Sequence, residues 1–331
     1  MKKLINISLL LVLVTLSNIA SAQYDPIRSQ YMFTPMVLNP AYAGLHDMAS
    51  ANLSWRGQWL GLFNDSDNRG DFRFGGAPIA TTLNFHTSLP VEKMGAGLTV
   101  VRQSYGVNTD MDMNLAWSYR LEMGENKLQF GLLGNLRHVA IDYTKLNQKN
   151  PGEDPVFNQN GGRTTDSKPN FGAGMMYTTP TYFFGLSVPR LLKYDIDDGT
   201  GAENTLTYGQ IFYGTAGYVF DLANEMKFKP STLVRVSPGS AVNFDLNGEV
   251  LFNEVLWLGL SFRSNAVRWV PNATVVMAQF QINDFLKAGY SADFSLVGNL
   301  GRAGGWVGTH EILVNMNFAL FDEHAVQTIY F

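Results

Sequence analysis

The chain has 331 residues, no cysteine, and 24 basic against 28 acidic side chains, a formal net charge of −4. No disulfide framework, thiolate metal site or lipidated cysteine can be built from it, and the acidic balance argues against a nucleic-acid partner. Charged residues make up only 16% of the chain, where an ordinary soluble domain has roughly 25%, while aromatics reach 13%.

Residues 1–22, MKKLINISLLLVLVTLSNIASA, combine Lys2 and Lys3, a mostly apolar run over 4–16 and a small-residue ending at Ala20-Ser21-Ala22. This is the pattern of a secretory signal peptide, and its apolar stretch is too short to cross a bilayer. Cleavage after Ala22 leaves 22 basic residues against 28 acidic ones, a mature net charge of about −6. Nowhere after the leader do 18 apolar residues run together, which excludes helical spans. An exported, charge-poor, aromatic-rich chain without such a helix has one common physical solution: a closed antiparallel β-barrel in an outer membrane.

The next segment, SQYMFTPMVLNPAYAGL over 29–45, holds two prolines, three aromatics and no charge. It is too apolar to float in water and too punctuated by proline for a long helix or a central strand. Tyr31, Met32, Phe33, Met36, Val37, Leu38 and Tyr42 need burial, at about 1.5–3 kcal/mol each. The dry places nearest to them are the mouth of the barrel and a groove on a partner. Residues 23–46 are therefore expected to form a plug or strap at the periplasmic mouth.

Beyond it the sequence alternates. Between Asp110 and Glu122 one face reads Met111, Met113, Leu115, Trp117, Tyr119, Leu121 and the other Asp110, Asp112, Asn114, Ala116, Ser118, Arg120, Glu122. Clean period two recurs around Val242–Val250 and Ile312–Ala319. Strands are expected at 48–59, 79–88, 93–104, 107–122, 127–141, 168–178, 181–188, 205–220, 225–236, 241–252, 254–264, 269–281, 285–295 and 308–320. That is about 14 strands, an even number, within a barrel spanning 47–320. Amphipathic strands also build soluble β-sandwiches and propellers, so alternation alone leaves those open. Connection lengths bear on the choice. The long ones, 60–78, 142–167, 189–204 and 296–307, all fall at one rim, and every connection at the other rim is tight, the asymmetry of an outer-membrane barrel with its short turns in the periplasm. Residues 321–331 form a C-terminal tail in which Asp322-Glu323-His324 interrupts the alternation, so the strand before it is the better insertion signal.

Chemistry-bearing motifs are few. The five histidines, His46, His86, His138, His310 and His324, show no ligand spacing, so no metal or other cofactor is expected, and His310-Glu311 is expected to be only a rim pair. No serine and histidine pick themselves out as a nucleophile and base, so the reading is non-enzymatic. Asp-rich stretches at 65–71 and 195–199 resemble calcium loops, but Arg69 sits where a ligand oxygen is wanted and neither has the twelfth-position glutamate; solvated outer loops explain them better. Trp55, Trp59, Trp117, Trp257, Trp269 and Trp306 are expected in interfacial girdles. Arg120, Glu122, Arg137, Asp245 and Glu249 are expected in the lumen, where charges serve internal bonding and conduction alike.

Ser29-Gln30-Tyr31-Met32-Phe33 with Asn39-Pro40-Ala41-Tyr42-Ala43-Gly44 resembles the N-terminal signature of the PorP/SprF family of Bacteroidetes outer-membrane proteins, associated with type IX secretion and gliding. Arg56-Gly57-Gln58-Trp59-Leu60-Gly61, Gly76-Ala77-Pro78 with Thr81, Gly185-Leu186-Ser187-Val188-Pro189 and Gly308-Thr309-His310-Glu311-Ile312 resemble further elements of the family in the same order. A polar insertion over 63–75 departs from it. The resemblance implies a barrel in outer-membrane lipid. It would act with the type IX secretion machinery, either anchoring the periplasmic ring and motor or serving secretion of a particular large adhesin. With that machinery as partner, Tyr31, Met32, Phe33, Asn39, Pro40 and Tyr42 become candidate partner-binding residues, Asn39-Pro40 offering a rigid turn; the alternative is a strap tucked into the lumen for stability. The competing function is a diffusion channel or hydrophobic-ligand transporter.

Overall fold

The computed structural model describes residues 28–60, 77–91, 93–145, 162–196, 206–222, 225–266, 272–295 and 308–320. The leader, residues 23–27, the Asp-rich insertion, most of the 195–199 stretch, Trp269, Trp306 and the C-terminal tail with His324 lie outside the described residues. No helix among the described residues is long and apolar enough to cross a membrane.

The strands in chain order are β1 (Ala49–Leu60), β2 (Ile79–Ser88), β3 (Met94–Tyr105), β4 (Asn108–Met123), β5 (Asn126–Asp142), β6 (Arg163–Thr178), β7 (Tyr182–Arg190), β8 (Tyr194–Ile196), β9 (Leu206–Tyr208), β10 (Ile211–Tyr218), β11 (Phe220–Asp221), β12 (Met226–Val236), β13 (Asn243–Phe252), β14 (Leu256–Asn265), β15 (Ala273–Gln281), β16 (Leu286–Ser295) and β17 (Gly308–Phe318). β10, β7, β6, β5, β4, β3, β2, β1, β17, β16, β15, β14, β13 and β12 follow one another in hydrogen-bonded order, and β12 pairs back onto β10. The result is a closed ring of fourteen antiparallel strands, each beside its neighbour in sequence apart from the β1–β17 seam that joins the two ends. Closure leaves no sheet edge inside the bilayer.

Thirteen of the expected strands appear within a few residues of their predicted positions; the exception is 205–220. There the chain breaks, and β9 pairs with β8 instead of joining the wall. Its Tyr208, with Ile196 of β8, packs on Val139 and Ile141 of the inward face of β5, which β4 and β6 accompany to its upper end. Covering that apolar surface decides where β9 goes, a tertiary demand that period two does not contain.

Alternation along each wall strand separates two environments. On β4, Met111, Leu115, Trp117 and Leu121 point outward and are exposed, whereas Asp110, Ala116, Ser118 and Arg120 point inward and are buried. Leu53, Leu83, Leu132, Leu246, Leu260 and Val276 repeat the outward pattern around the ring. The interior is polar at many positions yet densely filled, and its filling is the chain's own N-terminal segment.

Candidate functional site

Residues 28–48 run down the lumen from its long-loop half to the short-turn rim, where β1 begins. Proline sets their local shape: the segment is three 3-10 turns, Tyr31–Phe33, Pro35–Val37 and Pro40–Tyr42, with Pro35 and Pro40 leading the second and third. The Asn39 side chain caps the last turn by accepting from Ala41 N at 3.0 Å, and its Nδ2 donates to the Met175 carbonyl of β6 at 3.0 Å. These turns satisfy backbone groups locally, so the segment can be buried without joining the sheet.

The upper end is fixed by charge. Ser29 N donates to Glu311 Oε2 at 2.8 Å, Ser29 Oγ to Asp293 Oδ1 at 2.5 Å and Gln30 Nε2 to the Glu311 carbonyl at 3.0 Å. Behind them lies a chain of buried ion pairs: Arg56 with Glu311 at 3.3 Å and Asp293 at 3.2 Å, Arg263 with Asp293 at 2.9 Å and Asp245 at 3.1 Å, Arg235 with Asp245 at 2.8 Å. Three guanidinium groups face three carboxylates, so the network is neutral without any outside ion. Arg263 also donates to the Arg28 carbonyl at 2.8 Å.

Lower down the contact is apolar. Met36, Ala41, Tyr42, Ala43 and Leu45 form one cluster with Ala116, Leu133 and Met176 of the wall; Tyr31 and Met32 form a second with Ile211, Tyr213, Leu233, Val275 and Met277. Asn247 Nδ2 donates to Tyr31 Oη at 2.6 Å. Burial pushes the Tyr31 and Tyr42 phenols well above the usual tyrosine range. Lys229 sits 2.7 Å from Glu249, with its ammonium 4.8 Å from the Trp257 ring centre and 5.5 Å from that of Phe33. At the short-turn rim the Ala43 carbonyl accepts from Ser118 Oγ and Gln129 Nε2, each at 2.6 Å, and Arg120 pairs with Asp47 at 2.7 Å.

The wall is recessed where the segment presses on it. A Cβ at Gly95 would meet the Ala43 carbonyl, at Gly131 the Pro40-Ala41 backbone, and at Gly174 the Asn39 carboxamide. Cavities of about 100, 40 and 30 Å³ lie between the segment and the wall. Among the described residues no three histidines or acids gather as a metal site.

Of the candidate partner-binding residues, Tyr31, Met32, Asn39, Pro40 and Tyr42 are buried and Phe33 is half-buried, all within the lumen. The expected rim pair His310-Glu311 is corrected: His310 lies on the outer face beside Tyr290, and Glu311 is 1% exposed at the centre of the ion network. Trp257 is also corrected, from girdle to lumen, because odd positions of β14 face inward; its ring meets Phe33 edge-on at 6.4 Å. Trp117 and Trp59 are exposed on the outside, as a girdle requires. Arg120, Arg137, Asp245 and Glu249 are buried in the lumen, while Glu122 reaches the rim. His138 and Ser167, not paired by the sequence reading, lie opposite each other on β5 and β6 with Nδ1 and Oγ 2.8 Å apart. Arg263 and Asp293 are not singled out by the sequence reading, which places Arg56 only in a family element; the partners of Arg56 stand 237 and 255 residues away, while Arg263 reaches Asp245 and Asp293 across 18 and 30 residues on nearby strands that the period alone does not pair.

A closed ring of antiparallel strands, apolar outside and polar within, with its ends at the short-turn rim, defines an outer-membrane β-barrel protein. A family model described as type IX secretion system membrane protein PorP/SprF matches residues 20–316, and the chain belongs to that family. It is an outer-membrane component of type IX secretion. Among solved structures it is similar to the toluene transporter TbuX of Ralstonia pickettii, with 10% identity over 85% of this chain and 92% of that one and a TM-score of 0.48. A Pseudomonas aeruginosa FadL homologue gives 12% identity over 90% and 95% with a TM-score of 0.43, and Acinetobacter baumannii Omp33 gives 6% over 82% and 100% with 0.43. No curated protein sequence matches the chain.

Proposed function

We propose that this barrel is a non-enzymatic accessory or anchor of the type IX secretion and gliding machinery, which supports secretion or surface display of a large adhesin-type cargo or holds the periplasmic ring and motor to the outer membrane. One observation supports it beyond family membership: residues 28–48 occupy the lumen and bond to its wall along their length. A barrel filled by its own chain has its rims and outer face left for work. In this reading Tyr31, Met32, Phe33, Asn39, Pro40 and Tyr42 act on a partner from inside, by holding the short-turn mouth in shape. A diffusion channel would need that segment to leave.

The test is removal of the protein from cells, with surface adhesin followed by antibody. Photo-cross-linkers at Glu125 and Glu254, exposed on two short turns, accompany it. Loss of surface adhesin and capture of a periplasmic ring subunit are the expected results. Normal display in the null strain, with no captured periplasmic protein, removes the proposal.

A further inference from the structure

The outward-facing positions of the wall strands are nearly free of formal charge. Asp142 and Arg163 pair with each other at the raised tips of β5 and β6. Below those tips, among the described strands, one formally charged side chain points outward: Arg102 of β3, which is exposed. It has no hydrogen bond or ion pair among the described residues.

The pairing register fixes its neighbours. Leu83, Val100, Met113 and Leu136 lie in one lateral row across β2 to β5, and that row is wholly apolar. The next row towards the long-loop rim, about 7 Å on, is Thr81, Arg102, Met111, His138 and Ser167. The row beyond is Ile79, Ser104, Thr109, Ala140 and Thr165, three of its five side chains hydroxylated. Arg102 therefore stands where the apolar band gives way to polar side chains on the long-loop side, the side of the outer-leaflet headgroups. An unpaired guanidinium at that boundary is unfavourable unless an anion meets it. His138 stands two strands away, about 10 Å, its ring held by the 2.8 Å contact with Ser167.

We propose that the outer face of β3 to β5 is a docking site for a phosphorylated lipid of the outer leaflet. Arg102 takes the headgroup phosphate with its planar fork, His138 is the second donor, and the acyl chains lie on the row of Val100, Met113 and Leu136. Phosphate is the anion present on that side, and its oxygens match the guanidinium geometry.

Native mass spectrometry of the full-length protein in neutral detergent, titrated with phosphatidic acid and with diacylglycerol as the phosphate-free control, tests this. Wild type should retain phosphatidic acid and not diacylglycerol. Arg102→Leu should bind it about tenfold more weakly, the loss of one charge-assisted contact, with Arg102→Lys intermediate. Leucine is native to this face, so Arg102→Leu should keep the heat-modifiable gel mobility of a folded barrel. Equal retention by wild type and Arg102→Leu, or equal binding of the two lipids, overturns the proposal.

Discussion

Arg56 holds Glu311 and Asp293 together while its Nη1 donates to Ser29 Oγ at 2.6 Å, so one side chain ties β1, β16, β17 and the lumen segment. Arg56→Leu leaves three buried carboxylates facing two guanidinium groups. Breaking a buried pair from one side costs about 3–5 kcal/mol, because the surviving charge cannot rehydrate. The urea midpoint of the folded barrel, read by gel mobility, should fall accordingly, and Arg56→Lys should recover part of it. The phenols of Tyr31 and Tyr42 give a pH signature at the same scale. Both have folded-state pKa values raised by burial, so their stabilisation is full below the unfolded tyrosine value of about 10 and is lost as pH rises beyond it. Unfolding midpoints measured from about pH 8 to about pH 12 should decline more steeply for wild type than for the Tyr31→Phe, Tyr42→Phe double variant. Parallel declines would mean that neither phenol is buried.

The strand β6 shows how an element manages its own edge. Its pairing with β7 covers only Ala173–Thr178, although β6 begins at Arg163 and pairs with β5 along that whole length. The other edge is blunted. Pro169 has no N–H to offer, Asp166 Oδ1 accepts from Ser167 N at 2.7 Å, and Asn170 Oδ1 accepts from Phe171 N at 2.8 Å. An Asp166→Ala, Pro169→Val double variant should expose a pairing-competent edge and produce dimers on blue-native gels. A purely monomeric variant would show that the caps do other work. Gly131 on β5 makes a second test, since a side chain there collides with the Pro40-Ala41 backbone. Gly131→Val should lower the unfolding free energy by about 1–3 kcal/mol, the usual cost of overpacking, read as a lower urea midpoint, while Gly134→Val, which meets nothing within 4 Å, should not.

For the whole molecule, what the sequence revealed and what it hid divide along one physical line. Lipid on one side and lumen on the other force period two on every wall strand, so β4, β13 and β17 could be placed from residue order alone. The apolar, proline-marked 29–45 likewise declared its need for burial. Interior pairing was not legible, because Arg56 and Glu311 are brought together by the β1–β17 seam, across 255 residues. Nor did composition tell Trp257 from a girdle tryptophan, as indole suits both places. Ring closure and the filling of the ring together make a functional prediction. Met36, Ala41, Tyr42 and Leu45 pack on β4 to β6 and Tyr31 and Met32 on β10, β12 and β15, and Met36, Leu38 and Pro40 line a cavity of about 100 Å³ between segment and wall. A segment packed on the wall at both of these clusters obstructs the ring while it stays docked. In planar bilayers the full-length barrel should therefore show no steady ionic current, whereas deletion of residues 28–46 should open a conductance, provided that the deleted form keeps the gel mobility of a folded barrel. Cysteine-free wild type also allows a clean intermediate: a disulfide engineered between the lumen segment and β6 should hold the current at zero under oxidation and under reduction alike, because the docked state is the resting one. Steady current through the intact protein would show that the segment does not seal the ring.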